Sequence, residues 1–261
     1  MTTGNRLLIL GGTAEAASLA KVALARFGER LSVTTALAGR TRRPGPVAGQ
    51  VRIGSFGGAT GLASYLVEQQ IDRLVDATHP FAAEISRIAH EAAERTGVPR
   101  LLLLRPPWRR HPLDRWIEVD SVEAAALLVG RLGKCAWLTV GSRGLAAFAA
   151  VAEDTRFVVR LVDPPQSELP LPRHEIVLGR GPFSLSEERL MIERHTVDVL
   201  VCKASGGGAT EAKLVAARER GLPVIMVRRP PREPGPAAAS VEAALDWLAG
   251  EAVPVEAKRM P

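Results

Sequence analysis

Short apolar runs that end in glycine or a polar residue alternate along this chain with longer stretches in which apolar residues recur every three or four positions. A continuous apolar run suits a strand covered on both faces of a parallel sheet, and the longer period suits a helix lying over it. The alternation therefore predicts successive βαβ units. Leu7 to Leu10 is the first run; Gly11-Gly12-Thr13 turns the chain, and Leu19, Val22, Ala23 and Phe27 follow at helical spacing. Further strands are predicted at Leu31 to Leu37, Val51 to Gly54, around Leu74 and Val75, and at Leu101 to Leu104. Helical faces lie between them at Leu62, Tyr65 and Leu66, and at Phe81, Ile85, Ile88, Ala89 and Ala92. The stretch 38–50, rich in Arg, Gly and Pro, predicts an exposed loop.

Pro106, Pro107 and Pro112, with Trp108 and Trp116, break the period, so 106–120 is expected to cross between two lobes. The pattern then restarts. Asp120 with Glu123 resembles a capping box, a helix runs to about Gly130, and the strand Ala136 to Val140 ends in Gly141-Ser142, echoing the opening. A strand at Phe157 to Leu161, a polar Pro-rich loop through Pro172, a helix capped by Ser184 and Glu187, and a strand at Val197 to Cys202 follow. That strand runs into Lys203-Ala204-Ser205-Gly206-Gly207-Gly208; Thr210 then opens a helix, Pro223 to Val227 makes the last strand, and Ser240 caps the final helix. The expected architecture is α/β: two Rossmann-like lobes, 1–105 and 121–261, each a parallel sheet flanked by helices, with the active-site cleft between them.

Composition narrows the function classes. Nearly half of the 261 residues are apolar and only 4% aromatic, which suits helices layered on sheets. The two cysteines, Cys135 and Cys202, each sit inside an apolar run and read as small buried hydrophobes in a reducing compartment, so neither a disulfide nor a metal site is expected. No run approaches the roughly 20 apolar residues that cross a bilayer, and no signal-peptide pattern precedes the first strand, so no membrane partner and a cytoplasmic location are expected. The formal charge of +6 is concentrated at Arg40, Arg42 and Arg43 and at Arg105, Arg109 and Arg110, which read either as anion sites or as a solvated basic surface. With no aromatic-rich basic stripe for base stacking, nucleic acid is not the expected partner.

Three turns can carry chemistry. Gly11, Gly12, Thr13, Ala14 and Glu15 lie where a strand meets a helix N-terminus, a place suited to phosphate because backbone amides and the helix dipole both face it; a tight packing turn is the plain alternative. No acid follows the second strand to bind ribose hydroxyls, whereas Arg40 does follow it. An arginine there suits a 2′-phosphate and so NADPH, or else is simply a loop arginine. Asp76-Ala77-Thr78-His79-Pro80-Phe81-Ala82 ends the fourth strand, where Thr78 or His79 is expected to cap the next helix with Pro80 in its first turn. Lys203, Ser205, Gly206, Gly207 and Thr210 form a glycine nest with a lysine, read as an anion or substrate clamp against the alternative of a flexible turn with a surface lysine.

Taken in order, Gly11-Gly12-Thr13-Ala14-Glu15-Ala16, Asp76 to Ala82, Lys203 to Gly208 with Thr210-Glu211-Ala212-Lys213, and Pro223 to Pro230 resemble the precorrin-6A reductases of cobalamin biosynthesis across nearly the whole chain. The resemblance implies NADPH-dependent reduction of one double bond of the precorrin-6A macrocycle to give precorrin-6B (dihydro-precorrin-6), in a bilobal fold. The tetrapyrrole is a large polycarboxylate that Arg42, Arg43, Arg105, Arg109, Arg110 and Lys203 are expected to attract, with transfer contacts to neighbouring pathway enzymes as a further partner class. Hydride chemistry belongs to the cofactor, so a protein acid is optional; His79 and Lys203 are the candidate proton donors. Two alternatives stand beside this reading: a cobalt-precorrin-6A reductase of the anaerobic route, and a non-catalytic dinucleotide-binding sensor.

Overall fold

In the computed structural model, which describes residues 5–39, 45–149 and 154–250, the chain forms two units, each built on a six-stranded parallel sheet. Arg40, Arg42 and Arg43 lie outside the described residues.

The first unit comprises residues up to Arg105 together with those from Pro230 onward. Its strands are β1 (Asn5–Leu10), β2 (Leu31–Leu37), β3 (Gln50–Ile53), β4 (Arg73–Asp76), β5 (Arg100–Leu103) and, from the far end of the chain, β12 (Ala237–Ala238); the sheet order is β12-β5-β4-β1-β2-β3. Leu7 to Leu10 are all buried, as expected of a central strand covered on both faces. Helix α1 (Ala14–Phe27) and helix α8 (Val241–Ala249) cover one face, where Leu19, Ala20 and Ala23 meet Leu245, Trp247 and Leu248. Helices α2 (Gly58–Glu68) and α3 (Ala83–Thr96) cover the other, with Leu62, Leu66, Ala89 and Ala92 packed on Leu8, Leu10 and Leu74. Each fully buried leucine contributes about 1.5–3 kcal/mol relative to exposure.

The second unit runs from Pro106 to Arg229. It contains β6 (Arg115–Val119), α4 (Val122–Leu132), β7 (Cys135–Thr139), α5 (Ala146–Ala149), β8 (Arg156–Leu161), β9 (His174–Leu178), α6 (Leu185–Arg194), β10 (Val199–Lys203), α7 (Ala212–Glu219) and β11 (Pro223–Val227), in the sheet order β6-β11-β10-β7-β8-β9. Trp137, Val158, Leu200 and Met226 of the sheet pack with Met191, Ile192, Leu214 and Ala217 of α6 and α7, while α4 and α5 lie over the opposite face.

The division differs from the expected one at both links. Residues 106–120 are not only a crossover, because β6 within them pairs along β11. Nor does the second unit run to the end of the chain: β12 pairs with β5, and α8 packs on α1. An apolar helix face states that it is buried but not against which sheet, and two alanines make too short a run to mark a strand.

Two expected caps also move. The N-cap of α4 is Ser121, whose hydroxyl accepts from Ala124 N at 3.1 Å; Asp120 instead pairs with Arg228. Helix α3 begins at Ala83 without a side-chain cap, because Asp76 captures both the backbone N–H and the hydroxyl of Thr78 and the chain turns again before it can coil. Ser184 with Glu187, and Ser240, cap α6 and α8 as expected.

Candidate active site

In an open parallel sheet, ligands bind at the carboxyl ends of the strands where the strand order reverses. In the first unit the chain moves from β1 to β2 and β3 on one side and to β4 and β5 on the other, so the reversal lies between β1 and β4. The turns that end these two strands are Gly11–Thr13 and Asp76–Thr78, and they are tied together: Thr13 Oγ donates to Ala77 O at 2.7 Å while accepting from Ala16 N at 3.1 Å. Gly11 packs so closely that a Cβ on it would lie 2.7 Å from Thr35 Cγ2. Gly12 has φ of +106° and open space where a side chain would stand. The result is a bare backbone cradle at the N-terminus of a 14-residue helix, with the amide dipoles directed at it.

Asp76 is fully buried, and its Oδ1 holds Thr78 N at 3.1 Å and Thr78 Oγ at 2.7 Å. Its Oδ2 and the hydroxyl of Thr35 are buried without a hydrogen-bond partner. Glu15, in the first turn of α1, forms a 2.9 Å ion pair with Arg105, so both are committed to each other at this edge. His79 is exposed; its Nδ1 accepts from Phe81 N at 3.2 Å.

In the second unit the reversal lies between β7 and β10. Both strands end in the same backbone turn: Gly141 has φ 78°, ψ 165° and Gly207 has φ 75°, ψ 158°, and each leads into one turn of 3₁₀ helix. Lys203 is the last residue of β10. Burial lowers its pKa from the ordinary lysine range, and the neighbouring Arg143 guanidinium lowers it further by like-charge repulsion. The turn after it is held from several sides. Ser205 N donates to Lys203 O at 2.7 Å, Trp108 Nε1 donates to Gly207 O at 2.8 Å, and Lys213 Nζ donates to Thr210 O at 2.7 Å while lying over the Trp108 ring. These bonds fix the shape of the turn, and Trp108 serves it as an anchor. Thr210 ends the 3₁₀ turn rather than opening α7, which starts at Ala212. Arg109 is exposed on the segment that enters this unit.

The structure thus groups Gly11, Gly12, Thr13, Ala14, Glu15, Thr78 and Arg105 at one sheet edge and Lys203, Ser205, Gly206 and Gly207 at another; His79 belongs to the first unit and Lys203 to the second. Sequence reading gave no role to Asp76, Thr35 or Arg143. The signal for Asp76 was an acid closing an apolar run, and for Arg143 a cation two residues past a glycine that echoes the opening turn. Among the described residues no group of His, Cys, Asp and Glu is placed to hold a metal ion, and no helix is long and apolar enough to cross a membrane.

Comparison with known proteins places these edges in a family context. Residues 6–249 match the family described as Precorrin-6x reductase CbiJ/CobK. The chain belongs to this family. It is 45% identical over 244 residues to precorrin-6A reductase of Rhodococcus erythropolis, covering 93% of this chain and 97% of that protein. The corresponding figures for precorrin-6A reductase of Mycobacterium tuberculosis H37Rv are 42%, 94% and 98%. Against cobalt-precorrin-6A reductase of Priestia megaterium the identity is 31%, over 88% of this chain and 92% of that one. A solved structure titled CobK precorrin-6A reductase superposes with a TM-score of 0.89 at 39% identity, covering 94% of this chain and 96% of that one.

Proposed function

We propose that this member of the precorrin-6x reductase family reduces one double bond of precorrin-6A to give precorrin-6B in cobalamin biosynthesis, with NADPH as the reductant. The observation that carries the reading is that each sheet ends, at the reversal of its strand order, in an edge built for anions: a bare backbone cradle in one unit, a lysine with a glycine turn in the other.

The first edge suits a dinucleotide. Amides of Gly12, Thr13 and Ala14 face the pyrophosphate around the close turn at Gly11, whose own N–H is held by Ala36 O; Thr78 meets its hydroxyl or amide groups, and Glu15 keeps Arg105 in place. Arg40, following the second strand without a competing acid, is assigned to the 2′-phosphate on the sequence. When bound, NADPH supplies the hydride. The second edge suits the macrocycle's carboxylates, through Lys203, Ser205, Gly206, Gly207 and Thr210, with Arg109 of the same unit adding positive charge; Arg105, paired with Glu15 at the first edge, is a separate candidate for a substrate carboxylate. Lys203 offsets charge that develops on the reduced macrocycle and donates the proton if the protein supplies one; His79 is the second candidate. Two buried free thiols suit a cytoplasmic, reducing setting.

The metal-free substrate is favoured over its cobalt-containing form because identity to precorrin-6A reductases, 40–45%, exceeds the 30–31% to the bacterial cobalt-precorrin-6A reductases. The test is loss of NADPH absorbance on mixing with precorrin-6A, with NADH and the cobalt complex as parallel arms. Oxidation that requires the macrocycle and prefers NADPH and the metal-free substrate is expected. Tight NADPH binding without turnover of either macrocycle would replace the reading with that of a sensor.

A further inference from the structure

The turn after Lys203 carries little side chain of its own, so its shape must be imposed from outside. One residue does most of this. Arg229, just past β11, donates from Nε to Ala204 O at 2.7 Å and from Nη2 to Ser205 O at 2.9 Å, and Nη2 also reaches Pro106 O at 3.4 Å. Gly206, with φ of +66° and almost no exposure, is packed between that guanidinium and the Pro106 carbonyl so closely that any Cβ would overlap both. Ala204 N is itself bonded to Val227 O at 2.9 Å, which registers the turn against the strand that delivers Arg229.

The consequence is directional. The carbonyl oxygens of Lys203, Ala204, Ser205 and Gly207 all take donors from within the protein, from Ser205 N, Arg229 twice, and Trp108. Carbonyl oxygens pointing outward would repel a carboxylate; held inward by a cationic fork, they give way to the Gly206 and Gly207 N–H groups beside Lys203. A lysine cannot replace the fork, because two carbonyls of successive residues are met by two nitrogens in one plane.

We infer that Arg229 is a positioning residue for the reduction: it turns the Ala204 and Ser205 carbonyls away from the substrate and so presents Lys203 and the Gly206–Gly207 amides to the macrocycle's carboxylates. The inference rests on the reading of this turn as the macrocycle's site.

The test uses the full-length enzyme with precorrin-6A and NADPH, following KM for each, kcat, and thermal unfolding. Arg229→Ala is expected to raise KM for precorrin-6A at least about tenfold, the scale of a lost charge-assisted hydrogen bond. The dissociation constant for NADPH should stay unchanged, and millimolar guanidinium, unlike sodium chloride at equal ionic strength, should restore part of the loss. A merely structural role predicts a lower unfolding temperature with no selective change in the macrocycle KM and no rescue by guanidinium, and that result overturns the inference. Should Arg229→Ala fail to fold, Arg229→Lys decides: a macrocycle KM equal to that of the unmodified enzyme refutes the need for the fork, and a selective rise supports it. Lys203→Met separates the two layers. If it leaves the macrocycle KM untouched, the assignment of the turn fails whatever Arg229 does; if it raises that KM while the Arg229 variants do not, only the positioning role fails.

Discussion

Lys203 combines burial at the end of β10 with a like-charged neighbour, and both act in one direction. Its ammonium is held below the ordinary lysine pKa, burial being the larger cause and Arg143 the smaller. Because the protonated form is the one that binds carboxylates and gives up a proton, activity should be full below that lowered pKa and fall as pH rises through it. The alkaline limb of kcat/KM for the macrocycle is therefore expected below the lysine reference value. Arg143→Gln removes the repulsion but not the burial, so the limb should shift to higher pH; a limb that stays put would remove Lys203 as its origin. At the opposite edge, Gly11→Ala drives a methyl group to 2.7 Å from Thr35 Cγ2 and is expected to weaken NADPH binding, measured by fluorescence titration, more than it lowers the unfolding temperature. At this scale the glycine turns, as turns, and the place of Lys203 at the end of a strand were legible in the sequence, since an apolar run that stops at glycine or a charge marks where a strand ends. Asp76 and Arg229 were legible only as letters in a motif, because what they do depends on carbonyls and amides brought close by strand pairing.

At the scale of elements, the chain's own signals were most reliable where a strand is central and a helix is capped. Leu7–Leu10, Leu101–Leu103 and Val199–Cys202 are all buried and were visible as continuous apolar runs. The strands that escaped notice, β6, β9 and β12, are short, mostly half-exposed edge strands near prolines, where the apolar pattern thins out. One tie between elements lies outside any periodic signal. Arg160 of β8 makes two bonds to Glu188 of α6, at 2.8 and 2.7 Å, and its guanidinium also lies over the Trp137 and Phe183 rings. Glu188 is wholly buried, so Glu188→Ala strands a cation and should cost about 3–5 kcal/mol in urea unfolding. Replacing both partners with apolar residues should cost less. By contrast Ser184→Ala, which removes only the exposed capping box of the same helix, should cost about 1 kcal/mol. If the two single variants proved equal, the buried pair would not be the stronger fastening of α6.

For the whole molecule, the departure from the expected plan is that the first unit is assembled from both ends of the chain while the second is one continuous stretch. A chain ending after Arg229 should keep the β7–β10 amides protected from hydrogen exchange and lose protection in α1 and β5, which give up the α8 cover and the β12 partner. Protection retained across α1 would show that α8 contributes little there. The same arrangement sets an order of events during translation. Residues 106–229 contain every strand of their own sheet. The first unit must keep Leu19, Ala20 and Ala23 waiting for Leu245 and Trp247, with about 135 residues of synthesis, roughly 7–27 s, between β5 and the strand that completes its sheet. A nascent chain of this protein therefore carries an open apolar face on α1 until α8 has been made, and that interval is where chaperones have a surface to hold.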